Sequence, residues 1–325
     1  MRIITLEEHY ATGALMASQR RNMQQGSSMP IGWDPSKFMN RLLDIGDSRI
    51  TEMDDAGIDV QVLSSVGVED IENEEKALEL ACSSNDYLAL AIKKHPARFG
   101  GFAILPMSTP QKAADELERT VKEYGFKGAM ILGHSRGRYL DDRFFWPVLE
   151  RAQDLDVPLY LHPAVPPDAV VKASYVGNYS GEVANILAGP GWGWHIDTAT
   201  HILRIILSGA FDTYPRLQLI IGHLGEALPF MMPRTDHMLP AKITKLKRPV
   251  GAYLRENVNY TVSGFNYTAS FLDLFLQVGS DRIMFSTDYP IWSMKEAHDF
   301  LDRLPISPGD KERIAHSNAE RLLQI

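Results

Sequence analysis

The chain has 325 residues, with 33 basic and 41 acidic side chains and a formal net charge of -8. The net charge is negative and no long run of Lys and Arg forms a basic patch, so the sequence argues against nucleic-acid binding. The single cysteine, Cys82, excludes an internal disulfide and a thiolate-rich metal site, so a metal ion would need His and carboxylate ligands. No segment predicts a membrane span or a signal peptide, and we expect a soluble, unprocessed cytoplasmic protein.

Predicted strands and helices alternate along the whole chain. The first strand, ITLEEH, is followed by an insertion over residues 11–40 and then by a helix over DSRITEMDDAGI that ends near Gly57. Seven more strands, each followed by a helical pattern, are predicted in DVQVLSS, FGGFAILP, FKGAMIL, VPLYLHPA, LQLIIGHLG, NVNYTVS and RIMFSTDYP. The pattern predicts an α/β fold, a (β/α)₈ TIM barrel forming one domain over residues 1–325, with insertions after strands 1 and 5.

Ionisable side chains stand at the ends of four predicted strands. In a barrel of this type the active site lies at the C-terminal ends of the strands. The side chains are Glu7 and His9 on strand 1, His162 on strand 5, His223 on strand 6 and Asp288 on strand 8. Burying each of them is costly unless it is paired or bound to a metal ion, so their convergence favours a metal site. Alternation along strand 1 places Glu7 and His9 on one face and Glu8 on the other.

The remaining histidines are not predicted to belong to the site. Those in predicted loops or on polar helix faces are His95, His134, His237, His298 and His316. His195 and His201 lie near the start of the helix after strand 5, where they could line the entrance. Their separation of six residues does not bring them together on one helix face, and both are left out of the predicted site.

With these residues placed, the chain resembles the amidohydrolase superfamily, in the branch of the aminocarboxymuconate-semialdehyde and ortho-hydroxybenzoate decarboxylases. The resemblance runs nearly end to end through LEEH, NRLLDIGDSRI, RFGGFAILP, GFKGA, DVPLYLHP, LSGAFDTYPRLQLIIGHLGEALPFMMPR, DRIMFSTDYP and NAERLL. It implies one divalent ion, Zn²⁺ or Mn²⁺, without an organic cofactor, and a homodimer or homotetramer. The implied ligands are Glu7, His9, His162 and Asp288, with Glu7 in the place that His holds in the H-x-H version of the motif.

The same resemblance implies catalytic roles near the metal. Asp288 would be the proton donor, and His223, which is not a ligand, would polarise the substrate or shuttle a proton. Glu226, three residues after His223, could accept its second N–H, or could be favoured there only by the helix dipole. Arg234 is the candidate for binding an anionic substrate or a neighbouring subunit, with a surface salt bridge as the alternative.

The expected function is metal-dependent, non-oxidative decarboxylation of an ortho-hydroxybenzoate-type acid by protonation of the ring carbon. The alternative is a metal-dependent hydrolase of a lactone, amide or ring-fission product, with Asp288 as the general base for a metal-activated water. A protein that only binds a metal or ligand would need neither His223 nor Asp288. Residues 164–166 and Ile291 depart from the aromatic decarboxylase pattern, which leaves the metal ligands intact and the substrate open.

Overall fold

A computed structural model describes residues 1–23, 35–69 and 71–325 of the chain. Its strands are short, and all of their pairings are parallel. They are β1 (Ile4–Tyr10), β2 (Val60–Ser65), β3 (Phe99–Gly101), β4 (Ala103–Ile104), β5 (Ala129–Leu132), β6 (Leu159–His162), β7 (Leu219–Ile221), β8 (Val258–Thr261) and β9 (Ile283–Met284).

Helices follow the strands along the chain, as parallel pairing requires. They are α1 (Gly13–Met23), α2 (Pro35–Leu43), α3 (Asp47–Ala56), α4 (Glu74–Lys94), α5 (Pro110–Tyr124), α6 (Trp146–Asp154), α7 (Asp168–Ser174), α8 (Gly181–Ala188), α9 (Gly193–Leu207), α10 (Ala210–Thr213), α11 (Leu228–Met238), α12 (Ala241–Thr244), α13 (Val250–Glu256), α14 (Thr268–Val278), α15 (Met294–Arg303), α16 (Pro308–Glu312) and α17 (Asn318–Leu323). Helix α3 ends before Gly57, as predicted, and the φ of 71° at Gly57 is a left-handed conformation that glycine adopts without strain.

The strands follow one another around a barrel in chain order. Hydrogen bonds join neighbouring strands in two continuous runs, one from β1 through β2 to β3 and the other from β4 through each successive strand to β9. Only Phe102 separates β3 from β4, and its N–H donates to Leu63 of β2 at 2.9 Å, so the two segments together form the third of the eight predicted strands. Between β9 and β1 there is one parallel bridge, at which the His9 N–H donates to the Tyr289 carbonyl at 2.7 Å. The predicted TIM barrel is confirmed.

Side chains alternate between the barrel interior and the layer between strands and helices. Along β6, Leu159 and Leu161 pack in the outer layer, whereas Tyr160 packs in the interior. His162 follows Tyr160 by two residues, so its side chain lies on the same side of the strand. The interior is filled by Ile4, Leu6, Val62, Phe102, Met130, Tyr160, Ile220 and Met284.

The regular alternation of side chains along β1 is interrupted before the strand reaches the mouth of the barrel. Leu6 packs in the interior, and simple alternation would send Glu8 to the same face. The register with β2 shifts between Thr5 and Glu8, which marks a β-bulge, and a bulge re-aims the side chains that follow it. Glu7 and His9 consequently turn toward the inside of the mouth.

Both predicted insertions follow the C-terminal end of a strand, so they lie at the end of the barrel where active sites form. The first contains α1 and α2, although residues 24–34 of it lie outside the described residues. The second, over 163–190, contains α7 and α8. Within the part of the chain that the structure describes, no helix has the length and apolar character that a membrane span needs.

Candidate active site

The C-terminal ends of β1, β6 and β9 bring four side chains together at the mouth of the barrel. We call them the ligand cluster, and they are Glu7, His9, His162 and Asp288, whose nearest ligand atoms all lie within 4.8 Å of one another. Glu7 Oε1 is 3.1 Å from His162 Nε2, and Asp288 Oδ1 is 3.2 Å from His9 Nε2. The four residues predicted as metal ligands are therefore neighbours in space.

Several polar atoms of the ligand cluster are buried without a hydrogen bond. Among the described residues, Glu7 Oε1, His9 Nε2 and Asp288 Oδ1 have no hydrogen-bond partner. Leaving such atoms unsatisfied is costly, and a divalent cation between them would satisfy all three. Two carboxylates and two imidazoles are suitable ligands for zinc or manganese. The residues present therefore fit a metal ion.

The imidazole of His9 has surroundings that favour the neutral state, which metal binding requires. The Nδ1–H of His162 donates to the Pro163 carbonyl at 2.7 Å, so Nε2 is the ring nitrogen that faces Glu7 and could bind a metal ion. His9 Nδ1 lies 3.4 Å from the Ser64 hydroxyl. Burial, and then the neighbouring His162, lower the pKa of His9 to about 3. A neutral His9 keeps a lone pair available for a metal ion at neutral pH.

The carboxylate of Glu7 is held by two hydroxyl groups. Tyr160 and Ser263 both donate to Glu7 Oε2, and Oε1 remains free. Burial acts to raise the pKa of Glu7, but the surrounding histidines outweigh burial and hold this pKa well below its usual range. Tyr160 and Ser263 are not among the residues predicted from the sequence. Tyr160 could have been found, because it precedes His162 by two residues on one strand.

Asp288 lies just after β9 and is buried against the other acidic group of the ligand cluster. Burial, and then the charge of Glu7, raise the pKa of Asp288 well above its usual value. A cation bound in the ligand cluster would act in the opposite direction, since positive charge favours the ionised carboxylate. Glu8 is not part of the ligand cluster, because its carboxylate accepts from the N–H and the hydroxyl of Thr287 at 2.8 and 2.6 Å.

A second group of side chains lies beside the ligand cluster. We call it the histidine–glutamate cluster, and it consists of His195, His223 and Glu226. His223 Nδ1 is 2.8 Å from Glu226 Oε1, and His195 Nδ1 is 2.5 Å from Glu226 Oε2. The contact between His223 and Glu226 is one of the two alternatives that the sequence leaves open for Glu226. The sequence does not predict His195, because 31 residues separate His195 from Glu226 and no local spacing indicates that contact.

His223 belongs to the histidine–glutamate cluster and also faces the ligand cluster. Its Nε2 is 3.8 Å from Glu7 Oε1 and 4.0 Å from Asp288 Oδ2. Burial acts to lower the pKa of His223, but Glu226 and then Glu7 outweigh burial and raise this pKa to about 10. The raised pKa favours the protonated form of His223, whose Nε2 lies at the edge of the ligand cluster.

The segment that carries His223 and Glu226 has an unusual backbone. Five consecutive residues have positive φ, which are His223 at 50°, Leu224 at 56°, Gly225 at 88°, Glu226 at 55° and Ala227 at 65°. The left-handed region is unfavourable for residues other than glycine. Such strain persists where the surrounding structure holds the backbone in place, and it is concentrated at functional sites.

Arg234 lies on α11, about two helical turns beyond Glu226. It is exposed and makes no hydrogen bond or ion pair with any described residue. The structure does not bring Arg234 into contact with either cluster, and the alternative of a surface salt bridge has no partner in the described part of the chain.

Comparisons with known proteins cover nearly the whole chain. A family model described as Amidohydrolase matches residues 32–325. A gamma-resorcylate decarboxylase of Polaromonas sp. (strain JS666 / ATCC BAA-500) is 40% identical over 336 residues, which cover 99% of this chain and 98% of that protein.

Two solved structures are similar along their full length. A dihydroxybenzoic acid decarboxylase from Polaromonas sp. JS666, with bound manganese and the inhibitor 2-nitroresorcinol, has a TM-score of 0.90 at 40% identity, covering 99% of this chain and 97% of that one. A 2,6-dihydroxybenzoate decarboxylase in complex with 2,6-dihydroxybenzoate has a TM-score of 0.88 at 36% identity, covering 100% of both chains.

Proposed function

The chain belongs to the amidohydrolase family, and from this premise we propose that it is a metal-dependent, non-oxidative decarboxylase of an ortho-hydroxybenzoate of the 2,6-dihydroxybenzoate type. The observation that carries this proposal is the ligand cluster, in which three buried polar atoms lack hydrogen bonds to any residue that the structure describes. The names of the similar proteins support the reaction, since they are carboxy-lyases acting on dihydroxybenzoates.

One divalent ion, manganese or zinc, would be held by Glu7, His9, His162 and Asp288. Manganese has precedent in a solved structure of a similar decarboxylase. When bound, the ion would supply positive charge that orients the substrate carboxylate and the adjacent phenolate oxygen.

The protein must also deliver one proton to the ring carbon that bears the carboxylate. We assign this proton to Asp288, and we assign its replacement to His223. The Nε2 of His223 is 4.0 Å from Asp288 Oδ2, so a bridging water or a small movement would complete the transfer. The protonated state of His223, which the negative charge of Glu226 favours, supports this assignment.

The proposed reaction balances with a single proton and no redox change. The phenolate oxygen donates electron density to the ring, and the ring carbon takes the proton from Asp288. The electron pair of the bond between the ring and the carboxylate then returns to the ring, which restores aromaticity and releases CO₂. Each turnover consumes one proton and forms one C–H bond.

We assign Arg234 to an anionic group, either on the substrate or on a neighbouring subunit. The support is its exposed guanidinium, which has no partner within the described residues. A single functional domain over residues 1–325, a homodimer or homotetramer, and a cytoplasmic location remain predictions.

The test is a combined metal analysis and CO₂-release assay of the purified protein with 2,6-, 2,3- and 2,4-dihydroxybenzoate and salicylate. We expect one metal ion per chain and CO₂ release from at least the 2,6-isomer. Bound metal without CO₂ from any of these acids, together with turnover of a lactone or amide, would replace the decarboxylase with the hydrolase.

A further inference from the structure

We propose that His195 is a positioning residue for the reaction. It holds the carboxylate of Glu226 and, through Glu226, sets the orientation of His223. This inference rests on the proposed function, because it concerns the same proton-delivering side chains. It is carried by a separate observation, the contact between helix α9 and the segment that follows β7.

The hydrogen bonds of His195 define which nitrogen carries its proton. The indole N–H of Trp194 donates to His195 Nε2 at 2.9 Å, so Nε2 is an acceptor. The proton is therefore on Nδ1, which donates to Glu226 Oε2 at 2.5 Å. The Pro190 carbonyl is 3.3 Å from Nε2 and is the longer of the two contacts at that nitrogen. In this tautomer the Nδ1–H of His195 donates to the carboxylate of Glu226, and a hydrogen bond to a carboxylate is of a strong type.

Glu226 is shared between two imidazoles, one from each side. Its Oε1 accepts from His223 and its Oε2 accepts from His195, so both oxygens are occupied and the carboxylate has no exposed surface. A carboxylate bonded at both oxygens cannot rotate freely. The direction in which His223 presents Nε2 to the ligand cluster therefore depends on the bond from His195.

The backbone of this segment needs an external anchor. His223 and Glu226 belong to the five consecutive residues with positive φ, a conformation that is unfavourable for residues other than glycine. The bond from His195 ties this strained segment to α9, which is a different element of the fold. Phe265 packs edge-on against the rings of His195 and His223, with ring centroids at 5.2 and 5.3 Å, and keeps the contact apolar on one side.

Another histidine on α9 serves as a natural comparison. His201 is fully buried and accepts from the Leu140 N–H at 2.7 Å, but it has no hydrogen bond or ion pair to a carboxylate among the described residues. A buried histidine that only supports α9 is thus already present six residues from His195. The distinguishing property of His195 is its bond to Glu226.

The experiment compares His195→Phe, which keeps a ring but has no donor, with His195→Asn, whose amide can replace the Nδ1–H. We expect His195→Phe to lower kcat for 2,6-dihydroxybenzoate by about 10- to 100-fold with little change in KM, and His195→Asn to recover most of the loss. His201→Phe is the matched control for damage to α9 and should keep a kcat near that of the unsubstituted protein. Equal losses in all three variants, or no loss in His195→Phe, would overturn the proposal.

A double-mutant cycle tests whether His195 acts through Glu226. In a Glu226→Gln background, His195→Phe should cause little further loss of kcat, because the carboxylate that His195 holds is already absent. A full additional 10- to 100-fold loss in that background would contradict the proposed route.

Proton NMR of the imidazole N–H groups gives a readout that does not depend on turnover. We expect two downfield N–H signals, from His195 and His223, and His195→Phe should remove one and shift the other. An unchanged His223 signal would overturn the positioning role. If the unsubstituted protein released no CO₂, the proposed function would fail, whereas the NMR result would still decide whether His195 positions His223.

Discussion

The two clusters at the mouth of the barrel contain similar side chains but differ in how their polar atoms are satisfied. In the ligand cluster, Glu7 Oε1, His9 Nε2 and Asp288 Oδ1 are buried without hydrogen bonds within the described part of the chain. In the histidine–glutamate cluster, both oxygens of Glu226 are paired, at 2.8 and 2.5 Å from its two histidines. The same residue types thus form one group that requires a cation and another that is complete without one.

This difference shows why residue type alone does not identify a metal site. Both clusters have ligand atoms close enough together to hold an ion. What separates them is whether hydrogen bonds already use those atoms. We expect changes to the ligand cluster to alter metal binding, and changes to the histidine–glutamate cluster to alter turnover with the metal retained.

Breaking the ligand cluster should remove both metal binding and turnover. Glu7→Gln and His162→Ala each remove a ligand, and we expect metal affinity to fall by at least about 10- to 100-fold and CO₂ release to fall with it. Metal analysis after dialysis measures the first effect. Glu8→Gln is the matched control, since Glu8 is a buried neighbour bonded to Thr287, and it should keep its metal. Full metal content in both ligand variants would refute the assignment.

Replacing Asp288 should separate binding from turnover within the ligand cluster. Asp288→Asn keeps an oxygen ligand but cannot deliver a proton, so we expect kcat to fall roughly 10²- to 10⁴-fold while some metal is retained. Single-turnover CO₂ release, corrected for metal content, measures this effect. An Asp288→Asn variant with normal turnover would remove Asp288 from the proton-transfer step.

A residue outside both clusters should affect substrate binding rather than chemistry. Arg234→Ala should raise KM for 2,6-dihydroxybenzoate by roughly 10-fold, because a charged hydrogen bond to an anion is lost. Arg313, an exposed arginine paired with Asp310 at 2.9 Å, is the control, and Arg313→Ala should leave KM unchanged. Equal KM values for both variants and the unsubstituted protein would exclude the substrate as the partner of Arg234 and leave only a neighbouring subunit.

The smallest effect concerns His201, a buried imidazole with no carboxylate partner among the residues described by the structure. Burial, and then Arg204, lower the pKa of His201 from 6.5 to about 3. The folded protein thus binds fewer protons than the unfolded chain, and His201 contributes stability above pH 6.5 that is lost as the pH falls toward 3. The pKa of His223 is shifted in the opposite direction, because the charge of Glu226 raises it. The titration of His201 therefore shows how burial changes the pKa of an imidazole when no carboxylate opposes it.

The measurement is the melting temperature at about pH 7.5 and about pH 5. His201→Gln removes the titrating group and can retain an acceptor for Leu140, so its melting temperature should fall less between the two pH values than that of the unsubstituted protein. Parallel pH dependence in the two proteins would show that His201 does not contribute in this way.

Much of the fold could be predicted because local patterns determine it. Gly57 ends α3 where the sequence predicts, and alternating strands and helices require parallel pairing. The interruption at Phe102 and the register shift before Glu8 could not be predicted, because both depend on how neighbouring strands pair.

The candidate site also has a part that could be predicted from the sequence and a part that could not. Glu7 and His9 lie on one strand and could be assigned to one side of it from alternation. The contact of His195 with Glu226 joins two elements 31 residues apart and depends on five consecutive residues with left-handed backbone. Separation in sequence and an unusual backbone are the physical reasons that this contact was not predictable.

The most direct test of the account is anomalous diffraction at the manganese edge from crystals grown with manganese. We expect one anomalous peak per chain, located among the side chains of Glu7, His9, His162 and Asp288, with Glu226 still bonded to its two histidines. A peak between His195, His223 and Glu226, or no peak at saturating manganese, would contradict the division of the site into a metal-binding cluster and a positioning cluster.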